Sequence, residues 1–140
     1  MQLARSTQYL VRGDCYWARG PHSSDPYINL AYPDANVFYW AAAFTIPKGA
    51  KFFNRRRLPY SRYMSFISYD ERGRPVESLA DYLIQSDSHN PFIAGSPRYD
   101  GNRQYKIDIL NARPTSNRQV GEILNIDSNN LLHAPGYGAG

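Results

Sequence analysis

Three histidines, a run of carboxylates, one cysteine and several arginines hold most of the chemistry this sequence could perform. His22, His89 and His133 lie in the turn-like segments PHSSD, SHNPF and LHAPG, with Asp25 and Asp87 nearby. A divalent cation accepts such donors, but no His-x-His or His-x-x-x-His spacing seeds a site on one element. No metal and no cofactor are therefore expected, and the histidines read as polar loop residues. Asp70, Glu71, Glu77 and Asp81 flank the turn DERGRP. Two of them at the right separation would form a glycosidase pair. The plainer expectation is that they face water and balance Arg72 and Arg74. Cys15 has no base beside it in sequence, and no G-x-S-x-G elbow occurs. The residues therefore predict a protein that is not an enzyme.

Anion binding has better material. GYGAG resembles a glycine loop, but no helix follows it to supply amide groups. NRRRLPY reads as a loop in which Arg55, Arg56 and Arg57 repel one another unless an acidic partner lies close. It is the expected docking patch. The chain's net charge is +4, unevenly spread. Residues 1–70 hold nine Lys/Arg and four Asp/Glu (+5), and residues 71–140 hold seven and eight (−1). That bias favours an anionic surface or protein partner. The broad basic stripe and motif of a nucleic-acid reader are missing.

Arg62 opens the alternating stretch RYMSFISYD. As a strand it places Arg62, Met64, Phe66 and Ser68 on one face and Tyr63, Ser65, Ile67 and Tyr69 on the other. An arginine at the end of a buried row needs a carboxylate or carbonyl partner. Asp81, or else Asp34, is the expected partner, and Arg62 with Asp81 then forms a structural anchor between strand and crossing loop.

Elements must position these groups, and 140 residues with 42% apolar content suffice for one domain with a core. A single cysteine excludes an intrachain disulfide. No apolar run approaches the length of a membrane span, and no secretory leader is visible. Residues 1–33 are rich in Gly, Pro, Ser and Asp and read as an irregular aromatic arm pinned by Tyr16, Trp17, Tyr27 and Tyr32. Residues 34–140 read as the body. Strands are expected across NVFYWAAAFTIP, at Ala50–Phe53, Tyr60–Tyr69, RQYKIDIL and QVGEILNID. In RQYKIDIL, Tyr105, Ile107 and Ile109 share one face. VESLADYLIQSD is expected as a short helical turn or irregular crossing, and SNNLLHAPGYGAG as turns. Short strands between Gly, Pro and Asn turns predict an all-β, antiparallel, jelly-roll-like β-sandwich.

The segments YPDANVFYWAAAFTIPKGAKF, RYMSFISYDERGRPVESLADYLI, NPFIAG and QYKIDIL, in this order, resemble a group of uncharacterised bacterial exported proteins. Those proteins are similar to the β-sandwich domain of unknown function 1214. The resemblance spans about residues 15–133 and implies a β-sandwich in the periplasm or outside the cell. It carries no activity and no catalytic residue. Similar proteins continue with further strands where this chain reads GYGAG, so the expectation is either an open sheet edge or a sheet completed by another segment, such as strands borrowed from a partner.

The expected function is that of a non-catalytic structural or accessory subunit in a larger bacterial envelope assembly. It would bind protein subunits through Tyr16, Trp17, Tyr27 and the Arg55–Arg57 patch. A small-ligand or carbohydrate-binding sandwich, stacking Trp17, Tyr39, Trp40 or Tyr63 on a ligand, is the alternative. A hydrolase built on acidic residues or histidines is the third reading.

Overall fold

A computed structural model describes residues 36–47, 50–114, 122–126 and 129–136. The chain divides into two compact units, Met1–Thr45 and Ile46–Gly140. The expected arm over residues 1–33, with Tyr16, Trp17 and Tyr27, lies outside the described residues. Of the first unit, residues 36–45 are described. They hold a single bridging residue, Tyr39, and no strand. The strand expected across NVFYWAAAFTIP is therefore corrected. Three successive alanines give a sheet little side-chain surface to pack, and alanine is depleted in strands.

The second unit is all-β. Its strands are β1 (Phe52–Arg57), β2 (Ser65–Tyr69), β3 (Pro75–Ala80), β4 (Gln104–Leu110) and β5 (Leu131–His133). Among the described residues the one helical piece is a 3-10 turn at Asp81–Leu83. The strands form two small sheets, one in the order β1-β4-β5 and one a β2–β3 hairpin. β1 pairs antiparallel with β4, Asn54 opposite Ile107 and Arg56 opposite Tyr105. β5 runs parallel to β4, Ile109 opposite Leu132, so the expected purely antiparallel pairing fails at that edge. A parallel pair needs a crossover connection, and the long passage from Leu110 to Leu131 provides it.

Three segments differ from expectation. VESLADYLIQSD is a strand followed by the 3-10 turn, because its partner β2 offers a ladder that a six-residue helix could not match. In QVGEILNID, the described residues 122–126 make one parallel bridge, Leu124 with Ser78, and no strand. The strand lies later instead, at Leu131–His133 in the stretch expected to be turns. Asn130 enters it at φ 53°, a left-handed conformation that Asn tolerates better than most residues.

The hairpin turn shows how local chemistry fixes register. Asp70 Oδ1 accepts the amides of Arg72 and Arg74, each at 2.9 Å, and Oδ2 accepts Arg74 Nε at 2.8 Å. Gly73 sits at φ 74°, where a Cβ would be strained. Asp70 is therefore buried and clamped, whereas the sequence predicts a carboxylate facing water. The Arg74 amide, together with the Arg74 and Arg72 contacts, holds the Asp70 carboxyl below its ordinary value of 3.8. A lowered carboxyl stabilises the fold above its unfolded pKa and loses that contribution as pH falls through the folded value. Wild type should therefore lose stability on acidification below about pH 4. Asp70→Asn should be weaker at neutral pH and show a flatter acid limb. Urea midpoints at neutral and acid pH check both.

The core gathers inward-facing residues of both sheets (Leu79, Tyr105, Ile107, Leu132) with Leu58 just after β1 and Ile84 just after the 3-10 turn, and Met64, Phe66 and Ile109 pack against them. Phe66 meets Tyr105 edge-on, ring centroids 6.0 Å apart. The alternation expected in β2 and β4 holds. Met64, Phe66 and Ser68 turn inward while Tyr63, Ile67 and Tyr69 stay exposed.

Candidate functional site

The arginine patch is not a loop. β1 extends through Arg57, so Arg55, Arg56 and Arg57 are strand residues. The charges are tolerable there because β1 ends the order of the described strands and its outer face is open to water. Alternation splits the trio. Arg55 and Arg57 share the outer face with Phe53, opposite Lys106 and Gln104 of β4, and Arg56 lies opposite Tyr105. Burial raises the Tyr105 hydroxyl to about 12, opposed by the positive charge of Arg56. On the outer face, Arg55 reaches Asp87 at 3.8 Å and Lys106 reaches Asp108 at 2.7 Å. Lys106 also lies 5.0 Å from the Phe53 ring, and Arg57 donates to the Gly101 carbonyl at 2.6 Å. On that face three cations (Arg55, Arg57, Lys106) against two carboxylates (Asp87, Asp108) leave a local charge of +1.

The anchor expected between Arg62 and Asp81 is corrected. Arg62 lies exposed in the bend before β2 and makes no ion pair among the described residues. Asp81 does tie strand to crossing, but by accepting the amides of Met64 at 2.9 Å and Tyr82 at 2.7 Å. An amide at the start of β2 satisfies the carboxylate without an arginine having to be desolvated.

The buried arginine is Arg103, which continues the inward row of Tyr105, Ile107 and Ile109. It is 1% exposed. Its Nε donates to the Asp100 carbonyl at 2.8 Å, and Nη1 to the carbonyls of Leu58 at 3.5 Å and Pro59 at 3.3 Å. Nη2 donates to the Arg98 carbonyl. Tyr60 stacks over the guanidinium, 3.9 Å from carbon to ring centroid. Beside it opens a cleft of about 140 Å³ lined by Tyr60, Ser61, Phe92, Arg98 and Tyr99. Asn90 braces the neighbouring segment, donating to the Asp81 and Ile84 carbonyls at 2.7 Å and accepting the Phe92 amide.

The histidines part company. His89 Nδ1 faces both Ser88 Oγ at 2.7 Å and Asp100 Oδ2 at 3.1 Å. A serine–histidine–acid triad divides its serine and acid between the two ring nitrogens, so this is a loop contact of another kind. His133 Nδ1 lies 3.1 and 3.0 Å from the two oxygens of the fully buried Glu77, and the His133 amide donates to Glu77 Oε2 at 2.5 Å. The Ser68 hydroxyl goes to the His133 carbonyl at 2.5 Å, not to its ring. This cluster ties β2 and β3 to β5. Glu77 is therefore not the water-facing carboxylate that the sequence predicts. His22 lies outside the described residues, and among those described no three His, Cys, Asp or Glu side chains gather as a cation site.

Glu77 and Arg103 were both missed as buried groups. Strand parity was the available signal for each: Glu77 lies two residues from Leu79, and Arg103 two from Tyr105. Comparison with protein-family models, curated proteins and solved structures found no match to this chain. Among the described residues no helix is long and apolar enough to cross a membrane.

Proposed function

We propose that this chain is a non-catalytic accessory subunit that docks on an acidic protein surface through the outer face of β1 and β4. The observation that carries this reading is the row formed by Arg55, Lys106 and Arg57 on neighbouring strands, with its local charge of +1. Exposed ion pairs such as Arg55–Asp87 contribute little to the fold, so these side chains are free to exchange partners. Phe53 adds an exposed ring within the basic row, the mixture of apolar and guanidinium contacts that interface centres favour. The resemblance to exported bacterial proteins supports an envelope assembly and a sandwich arrangement of the two sheets.

The test is the size of the native complex at low and high salt, for wild type and for the triple variant Arg55→Gln, Arg57→Gln, Lys106→Gln. Electrostatic docking should weaken as the screening length shrinks. The triple variant should release the complex already at low salt while its own unfolding midpoint stays unchanged. A native protein that is a salt-insensitive monomer overturns the subunit reading.

A further inference from the structure

We propose that the cleft beside Arg103 binds the carboxylate of a small organic acid, with Arg103 as its charge partner. This site is separate from the β1–β4 face and does not depend on it.

Arg103 is buried, yet the partners it has are carbonyls: those of Asp100, Leu58, Pro59 and Arg98. Carbonyl dipoles satisfy N–H groups but leave a full positive charge uncompensated. Buried charges are normally paired with an opposite charge. No carboxylate pairs with Arg103 among the described residues. Asp100, the acid closest in sequence, has its oxygens engaged by the Asn102 amide and His89. A guanidinium has five N–H donors. Four bonds to carbonyls account for one on Nε, two on Nη1 and one on Nη2, so a second Nη2 hydrogen remains.

The surroundings narrow the ligand. Tyr60 covers one face of the guanidinium, so an anion reaches it edge-on, the approach that suits a planar carboxylate. Arg98 stands exposed at the rim and adds attraction on approach, while Pro59, Phe92 and Tyr99 offer apolar surface for the ligand's body. A volume of about 140 Å³ is well below the roughly 300–1,000 Å³ of sites for drug-sized ligands. The cleft therefore takes a small acid or the charged end of a larger one. One buried positive charge matches one negative charge, and a dianion would cost more to desolvate.

Amide and arginine side-chain NMR titration of the full chain tests this, with benzoate, benzamide and inorganic phosphate as probes. Benzoate should shift Ser61, Tyr99, Arg103 and the Arg103 Nε signal saturably. Benzamide, equal in shape but uncharged, should bind at least about tenfold more weakly. Arg98→Gln should weaken benzoate several-fold without altering the rest of the spectrum. Arg103→Lys, if folded, should lose benzoate binding although its charge is kept. If Arg103→Lys does not fold, the benzoate-to-benzamide ratio and Arg98→Gln decide the matter. Equal binding of benzoate and benzamide, tighter binding of phosphate, or shifts confined to other surfaces would each overturn the proposal.

Discussion

Replacing Glu77 by alanine should destabilise the protein by about 3 kcal/mol, since two donors of His133 would lose their acceptor at about 1–3 kcal/mol each. Glu77 has no exposed surface and receives both the amide and Nδ1 of His133. An ionised carboxylate only accepts, so with Glu77 ionised Nδ1 is the donor in this contact. The bond has structural reach beyond its local geometry. It joins β3 of the hairpin to β5 of the three-stranded sheet, and Ser68 of β2 adds a second link to the same residue. Removing the carboxylate also leaves a void that the surrounding strands cannot fill by sliding, because their register is fixed by the flanking ladders. Glu77→Gln should retain part of the loss, since its amide oxygen still accepts one of the two donors. Urea unfolding with unchanged slope reads the difference. A Glu77→Ala midpoint indistinguishable from wild type would show that the two sheets are not joined through this contact.

The sequence made the strands with one apolar face readable and left obscure those whose burial depends on a partner. RQYKIDIL alternates cleanly, and Tyr105, Ile107 and Ile109 all turn inward as predicted. SFISY behaves the same way. VESLA looks helical because Val76, Leu79 and Leu83 are spaced for a helix, and a strand appears only once β2 is laid beside it. LLH is too short to announce itself, and its parallel pairing with β4 comes from a distant part of the chain. An arginine does end a buried row, but that of β4 and not that of β2. Arg62 precedes β2 in a bend and escapes to water, while Arg103 ends the row of β4 and is enclosed. Of the two kinds of partner expected for such an arginine, carboxylate or carbonyl, Arg103 has carbonyls, which converge on it from nearby loops. Arg55–Arg57 were recognised as a patch, but their division between two faces required knowing that β1 continues through them.

Ile107→Ala should cost about 2–5 kcal/mol, the range for removing a buried aliphatic side chain. Ile107 is completely enclosed, at the centre of a core made of few large side chains. A fold of this size has only about 5–15 kcal/mol of net stability, so the variant should sit near the unfolding threshold at physiological temperature. Ile67→Ala removes the same atoms from the outward face of β2, where the side chain is 45% exposed. It should cost less than about 1 kcal/mol. The contrast tests register as well as burial, because a slip of one residue in either strand exchanges the inner and outer rows. Comparable losses at both positions would mean that the outer face of β2 is covered in the native protein, and that the two sheets as described are not the whole of its packing. A large loss at Ile107 with near-neutrality at Ile67 fixes the inward row of β4. Arg103 continues that row, so the same pair of measurements bears on whether its guanidinium is held inside, against the cleft.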